Sequence, residues 1–329
     1  MGRNTAQTIF LAIAIFTLLS LLGIVLSGQD SAVRPAQQPP VLSAAEGDAA
    51  RFLVHSDLVL VPVTVTSGNG RVVPGLAKEQ FSVFEDRVEQ VITHFTSENA
   101  PATIGVVFDT SDSMGPRMAK AREAACAVLR NANPEDEFFL IRFSNAPEMT
   151  VRLTREPDRI RRAVRTLEAD GFTALLDAVK MAWLEMQKAA HARKAIILIS
   201  DGEDNSSHIT PAQFKQMATE NDTTIYTLFI GESTDFLSTH RNKATGVGLL
   251  DDLARQTGGH MFEVSNLKQL PDIASKIAAW VRSQYVLGYV PRTDSRNGSY
   301  HRIEVKIAKP PGFPRLHSSW RLGYYAPKP

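Results

Sequence analysis

The sequence predicts an α/β fold: a doubly wound, mostly parallel sheet flanked by helices, plus a small antiparallel β-subdomain built from segments before and after it. Two observations carry that prediction. From Thr103 onward, short continuously apolar runs alternate with amphipathic stretches, the rhythm of strands buried on both faces and joined by helices. On either side of that ladder the pattern changes to period-two alternation broken by Gly and Asn turns, as antiparallel strands require. The chain of 329 residues, 43% hydrophobic and 22% charged, is long enough for one large domain with satellites and has an ordinary globular composition.

Residues 1–28 read as a signal peptide or an amino-terminal membrane anchor. Ile9 to Leu26 (IFLAIAIFTLLSLLGIVL) carries no charge and as a helix reaches roughly 27 Å, close to the ~30 Å hydrocarbon core of a bilayer. Arg3 precedes it and Asp30 follows, so the charge bias leaves the amino end in the cytoplasm and exports the rest. Val25 and Ser27 fit the small-residue positions before a cut at Gly28, whereas the run is longer than a typical signal core; cleavage and retention both stay open. Residues 29–55, rich in Pro, Ala and Gln, cannot bury enough apolar surface to order themselves and read as a flexible linker.

Residues 56–98 form the first β segment. In DLVLVPVTVTSGNGRVV, Val59, Val61, Val63 and Val65 alternate with Leu58, Leu60 and Thr64 up to a Gly-Asn-Gly turn, which predicts a strand entering a hairpin. A second pair follows in FSVFEDRVEQVITHF, turning at Glu85 to Arg87. Residues 101–282 form the α/β ladder. Its strands are Thr103 to Phe108, Phe138 to Phe143, Ala195 to Ser200, Thr224 to Ile230 and Met261 to Val264. Between them, Met118, Ala121, Ala125 and Val128 share one helical face, as do Leu175, Val179, Ala182 and Met186. Further helices fit Asp158 to Glu168, Pro211 to Glu220, Leu249 to Gln256 and Leu267 to Trp280. In residues 283–329 the strands QYVLGYV, HRIEVKIA and WRLGYYA return, and the expectation is that they pair with 56–98. The tyrosines there, Tyr285, Tyr289, Tyr324 and Tyr325, fit core packing better than a carbohydrate platform, because they alternate within short strands.

Composition excludes several functions. Lys plus Arg is 36 against 35 for Asp plus Glu, a net charge of +1, which leaves no electrostatic footprint for nucleic acid. The lone Cys126 lies in an apolar helical pattern and reads as a small buried hydrophobe, so neither a disulfide framework nor a Cys/His zinc cluster is expected. No Gly-x-Ser-x-Gly elbow surrounds Ser111, Ser113 or Ser200, and no Gly-Lys-Ser/Thr phosphate loop is present. Asp109 and Asp112 are spaced wrongly for the Asp-x-Asp of a phosphoaspartate phosphatase, and the histidines show no zinc-hydrolase spacing.

In open α/β sheets ligands bind beyond the carboxyl ends of the strands. Here the first ladder strand ends in Asp109-Thr-Ser111-Asp-Ser113, the third in Asp201-Gly-Glu-Asp204, and Thr173 opens a helix between them. All are oxygen donors, the ligand type that hard divalent cations take. Helix capping explains any one of these residues but not the five together. Asp112 is expected to face solvent, and Glu203 and Asp204 to form a solvated acidic rim rather than a second cation site.

Asp109-x-Ser111-x-Ser113, Thr173 in GFTALLDAV and Asp201 in LISDGEDN together resemble the metal-ion-dependent adhesion site of von Willebrand factor A domains. The flanking strands further resemble secreted or membrane-anchored bacterial proteins of that superfamily, common in acidobacteria. The resemblance implies that Ser111 and Ser113 coordinate a metal directly, Mg2+ or else Mn2+ or Ca2+. Thr173 would join them when a ligand is bound, with Asp109 and Asp201 acting through hydrogen bonds or waters. It also implies a metal-dependent binding module, not an enzyme, that captures an Asp or Glu carboxylate of a protein partner at an envelope. Such a protein would be inner-membrane anchored facing the periplasm, or secreted or periplasmic if cleaved. Helix dipoles starting after Ser113 and Thr173 are expected to favour the incoming anion. Two rivals stand beside it: a hydrolase using the same ion, with Asp112 or Glu203 as base, and a structural envelope protein with a vestigial site.

Overall fold

A computed structural model describes residues 58–97, 99–231, 246–291, 297–313 and 315–326 of the chain. The apolar run at Ile9 to Leu26 and the linker that follows lie outside these residues, and among the described residues no helix is long and apolar enough to cross a membrane.

Four short strands come first: β1 (Val59–Ser67), β2 (Phe81–Glu85), β3 (Val88–Gln90) and β4 (Ile92–Thr96). The ladder follows as β5 (Ala102–Asp109), α1 (Met118–Arg130), β6 (Glu137–Phe143), β7 (Pro147–Thr154), α2 (Pro157–Arg165), α3 (Leu175–Met186), β8 (Arg193–Ser200), α4 (Pro211–Glu220), β9 (Thr224–Phe229), α5 (Gly246–Gln256), β10 (Met261–Glu263) and α6 (Leu270–Arg282). The chain closes with β11 (Tyr285–Tyr289), β12 (Tyr300–Ile307), β13 (Leu316–Trp320) and β14 (Gly323–Tyr325).

The central sheet has six strands in the order β10-β9-β8-β5-β6-β7, parallel except for the edge strand β7. Every residue of β5 is buried, because helices cover both faces. Ile104, Val106 and Phe108 pack on one side with α1 and α6, and Val107 packs on the other with α3, α4 and α5. Gly105 sits in mid-strand for a steric reason: a Cβ there would stand 2.2 Å from the ring of Phe139 on the neighbouring β6.

The expected pairing of the two flanking segments is present, and it is more interleaved than two added hairpins. One four-stranded sheet runs β13-β1-β11-β4 and a second runs β14-β12-β2-β3, so each mixes strands from both ends of the chain. Their inner faces share one core, in which Val61, Val63 and Leu287 of the first sheet meet Val83, Ile303 and Val305 of the second. Tyr285, Tyr289 and Tyr324 are buried in or beside it, as expected, while Tyr325 is partly exposed. Two sequence expectations need correction. The stretch after Gly70 turns back on β1 but does not return as a strand: a single bridge, Thr66 to Val72, forms beyond the end of β11, which pairs only with Val59 to Val63. Strand β7 was not expected, since its half-buried residues and two bulges against β6 blur the alternation.

Candidate metal centre

Chain order reverses around β5, which has β6 on one side and β8 on the other. The carboxyl ends of β5 and β8 therefore open onto the crevice where such sheets bind ligands. Three loops meet there. Asp109 closes β5 and is fully buried. Its Oδ1 accepts from the Ser111 amide at 2.9 Å and the Ser111 hydroxyl at 2.6 Å, and its Oδ2 accepts from the Ser200 hydroxyl at 2.5 Å. The Ser200 oxygen in turn accepts from the Gly202 amide at 2.9 Å, tying the two strand ends together. The hydroxyls of Ser111 and Ser113 lie 3.1 Å apart.

The third loop, carrying Thr173, is fastened to both neighbours. Asp170 donates its amide to Thr110 O at 2.7 Å, and Asp112 donates to Gly171 O at 2.9 Å. The Thr173 amide donates to Asn205 Oδ1 at 2.8 Å, and Thr173 O accepts from the amides of Asn205 and Ser206. Gly171 adopts φ +79°, and the space its side chain would fill is taken by the Asn145 amide 2.6 Å away.

Charge is distributed unevenly across the site. Burial pushes the Asp109 carboxyl up to about 7, against the hydrogen bonds from Ser111 and Ser200 that pull it down; the Asp201 charge adds to the rise. Asp201 Oδ2 accepts from Arg117 Nη1 at 3.1 Å, and the same nitrogen donates to Ser113 O at 2.8 Å. Asp201 Oδ1 is buried with no hydrogen-bond partner. An orphaned carboxylate oxygen costs free energy unless a cation or donor reaches it. The donor set is hydroxyls and carboxylates only, and among the described residues no group of three His, Cys, Asp or Glu side chains converges as an alternative metal site. Oxygen donors around an unsatisfied carboxylate fit a hard divalent ion.

All five sequence-indicated residues, Asp109, Ser111, Ser113, Thr173 and Asp201, thus sit in three cross-bonded loops, and Asp112 is exposed, as expected. The capping alternative does not describe them: Ser111 precedes a 3-10 turn, Asp112–Arg117, without a side-chain cap bond. Of the two helix starts expected to favour an anion, the one after Thr173 is present as α3, whereas Ser113 lies inside a 3-10 turn. Pro116 lies in that turn and α1 begins only at Met118, while the first amides of α3 are already taken. Leu175 donates to Asp204 Oδ1 at 3.0 Å, and Leu176 and Asp177 donate to Ser207 Oγ. Asp204, read as acidic rim, is therefore a helix cap supplied from another loop. Sequence reasoning missed Arg117, Asn145, Ser200 and Asn205. Only Ser200 gave a signal, as the polar end of AIILIS.

Residues 104–203 match the model of the von Willebrand factor type A domain. A stretch of 156 residues is 28% identical to inter alpha-trypsin inhibitor heavy chain 4 of Mus musculus; the match covers 42% of this chain and 16% of that protein. Among solved structures, a von Willebrand factor type A protein from Catenulispora acidiphila is similar, with a TM-score of 0.47 and 16% identity, over 84% of this chain and 75% of that one. The conserved hypothetical protein BatB from Bacteroides thetaiotaomicron is similar over 56% of this chain and 100% of its own, with a TM-score of 0.44 and 17% identity.

Proposed function

We propose that this chain, which carries a von Willebrand factor type A domain, is an exported binding protein that grips a partner's carboxylate through one divalent cation, Mg2+ or else Mn2+ or Ca2+. The observation that carries the reading is the buried, unpartnered Asp201 Oδ1 beside two serine hydroxyls 3.1 Å apart. Ser111, Ser113 and Thr173 would hold the ion, with Asp109 and Asp201 behind them. When bound, the ion supplies a Lewis-acidic position that an Asp or Glu of another protein can complete. Neutral hydroxyl ligands leave more of its charge for that partner than carboxylates would.

The chain's own residues do the preparatory work. Asp109 anchors the Ser111 hydroxyl and the end of β8 through Ser200, so the strand ends cannot separate without breaking both bonds. The Asn205 amide and the Thr173 backbone hold the third loop against the second. Binding rather than turnover is the expected activity, because the two candidate bases, Asp112 and Glu203, are exposed side chains at the rim. Export is read from the uncharged run Ile9 to Leu26.

Titration calorimetry of the chain with Mg2+ and with Mn2+ tests the reading. Both ions are expected to bind, and Ser113→Ala and Asp201→Ala to abolish the heat while circular dichroism stays that of the unaltered protein. Equal binding by the Asp201→Ala variant would sink the assignment.

A further inference from the structure

Phe172 is 66% exposed, the most open of the large apolar side chains among the described residues, and it directly precedes Thr173. Its exposure is not that of a loose loop. The Phe172 amide donates to Asn145 Oδ1 at 2.9 Å, the Thr173 amide to Asn205 Oδ1 at 2.8 Å, and the Ala174 amide to Ser144 O at 2.8 Å. Gly171, with φ +79°, leaves the space that the Asn145 amide fills. Three consecutive backbone donors are thus fixed, and the ring between them makes no ring contact among the described residues. An aromatic ring left in water gains little for folding, whereas an aromatic carried on a fixed backbone at the centre of an interface is a common source of binding energy.

We infer that Phe172 is the apolar anchor of the partner site, and that the partner presents a large apolar side chain close to the Asp or Glu it offers. The inference rests on the metal reading above. Phe172 and Thr173 are adjacent, so the loop that carries the exposed ring also carries one of the expected ligands. The charge around the site selects further. Asp112 and Glu203 are exposed at the rim, so a second acidic residue in the partner segment would be repelled, and a basic or neutral one is favoured.

The test is a phage-displayed heptapeptide library with a fixed central Asp, panned on the full chain in Mg2+ and in EDTA, with the Phe172→Ser variant in parallel. Peptides enriched only in Mg2+ are expected to carry Leu, Ile, Met or Phe close to the Asp and to lack a second acid. Phe172→Ser should lower their capture about tenfold while its Mg2+ calorimetry is unchanged. Enrichment without an apolar preference, no Mg2+-dependent enrichment, or equal capture by Phe172→Ser each overturns the inference. If the unaltered chain binds no Mg2+ in calorimetry, the metal reading itself fails, and the two failures are told apart.

Discussion

Arg117 shows how much a single residue can alter a site that a motif outlines. Its guanidinium holds Asp201 Oδ2 and Ser113 O, placing a fixed positive charge beside the position proposed for the cation. Partial exposure screens it, the side chain being 31% accessible, yet like charges this close still oppose each other. Arg117→Gln is therefore expected to tighten Mg2+ binding about tenfold, or ~1.4 kcal/mol, by calorimetry; weaker binding would mean that Arg117 organises Asp201 rather than competes for it. Away from the site, Gly105→Ala would drive a methyl into the Phe139 ring, where only 2.2 Å is free. A loss of about 1–3 kcal/mol in urea unfolding is expected, as for other overpacked cores. At this scale the sequence disclosed the donors that sit close together in the chain, Asp109, Ser111 and Ser113, and those that end a strand or open a helix, Asp201 and Thr173. Asn145 and Asn205 stayed hidden because their partners come from other loops, and Arg117 because its link to Asp201 crosses the sheet end, a contact that no local pattern encodes.

The helices were legible because each buries one face: the ladder periodicity marked the six among the described residues, and the Pro211–Glu220 prediction coincides with α4. How their ends are satisfied was not legible. The amino end of α3 is capped from the loop after β8, by Asp204 and Ser207, and Asp177 in its first turn accepts from the amides of His208 and Ile209 and from the His208 ring. Asp204→Ala is expected to cost about 1–2 kcal/mol, the range of a lost cap, read as a lower urea midpoint. Although partial burial pushes the Asp177 carboxyl upward, those donors hold it below its ordinary value of 3.8. A depressed acid stabilises the fold above its unfolded pKa, and the contribution fades as pH falls through the folded one. Asp177→Asn should thus lower stability at neutral pH and flatten its decline below about pH 4 in urea midpoints taken across that range. A mutant curve parallel to the unaltered protein would contradict this.

At the scale of the molecule, the fold class was readable from the change of rhythm near Thr103 and again near Gln284, but the pairing was not. Period two says that a strand is half buried, not which strand lies beside it. The structure puts β1 between β11 and β13, and β12 beside β2, so neither flanking segment has a complete sheet without the other. Removing residues 316–329 deletes β13 and β14, uncovers one edge of β1, and breaks the Arg321 bond to Asp222 at 2.9 Å. The shortened chain is expected to melt several degrees lower and to associate through the bared edge, visible by light scattering; an unchanged melting temperature would show that the last strands are dispensable. The position of β1 has a mechanical meaning as well. It is the first described strand, registered over Val59 to Val63 with β11 and over Val63 to Ser67 with β13. Tension entering at its amino end pulls along the strand, so the ladders on both sides are loaded in shear and their bonds must fail together rather than peel one by one. A protein tethered at that end and held by a partner at the sheet crest would resist tearing best in the direction from which it is pulled.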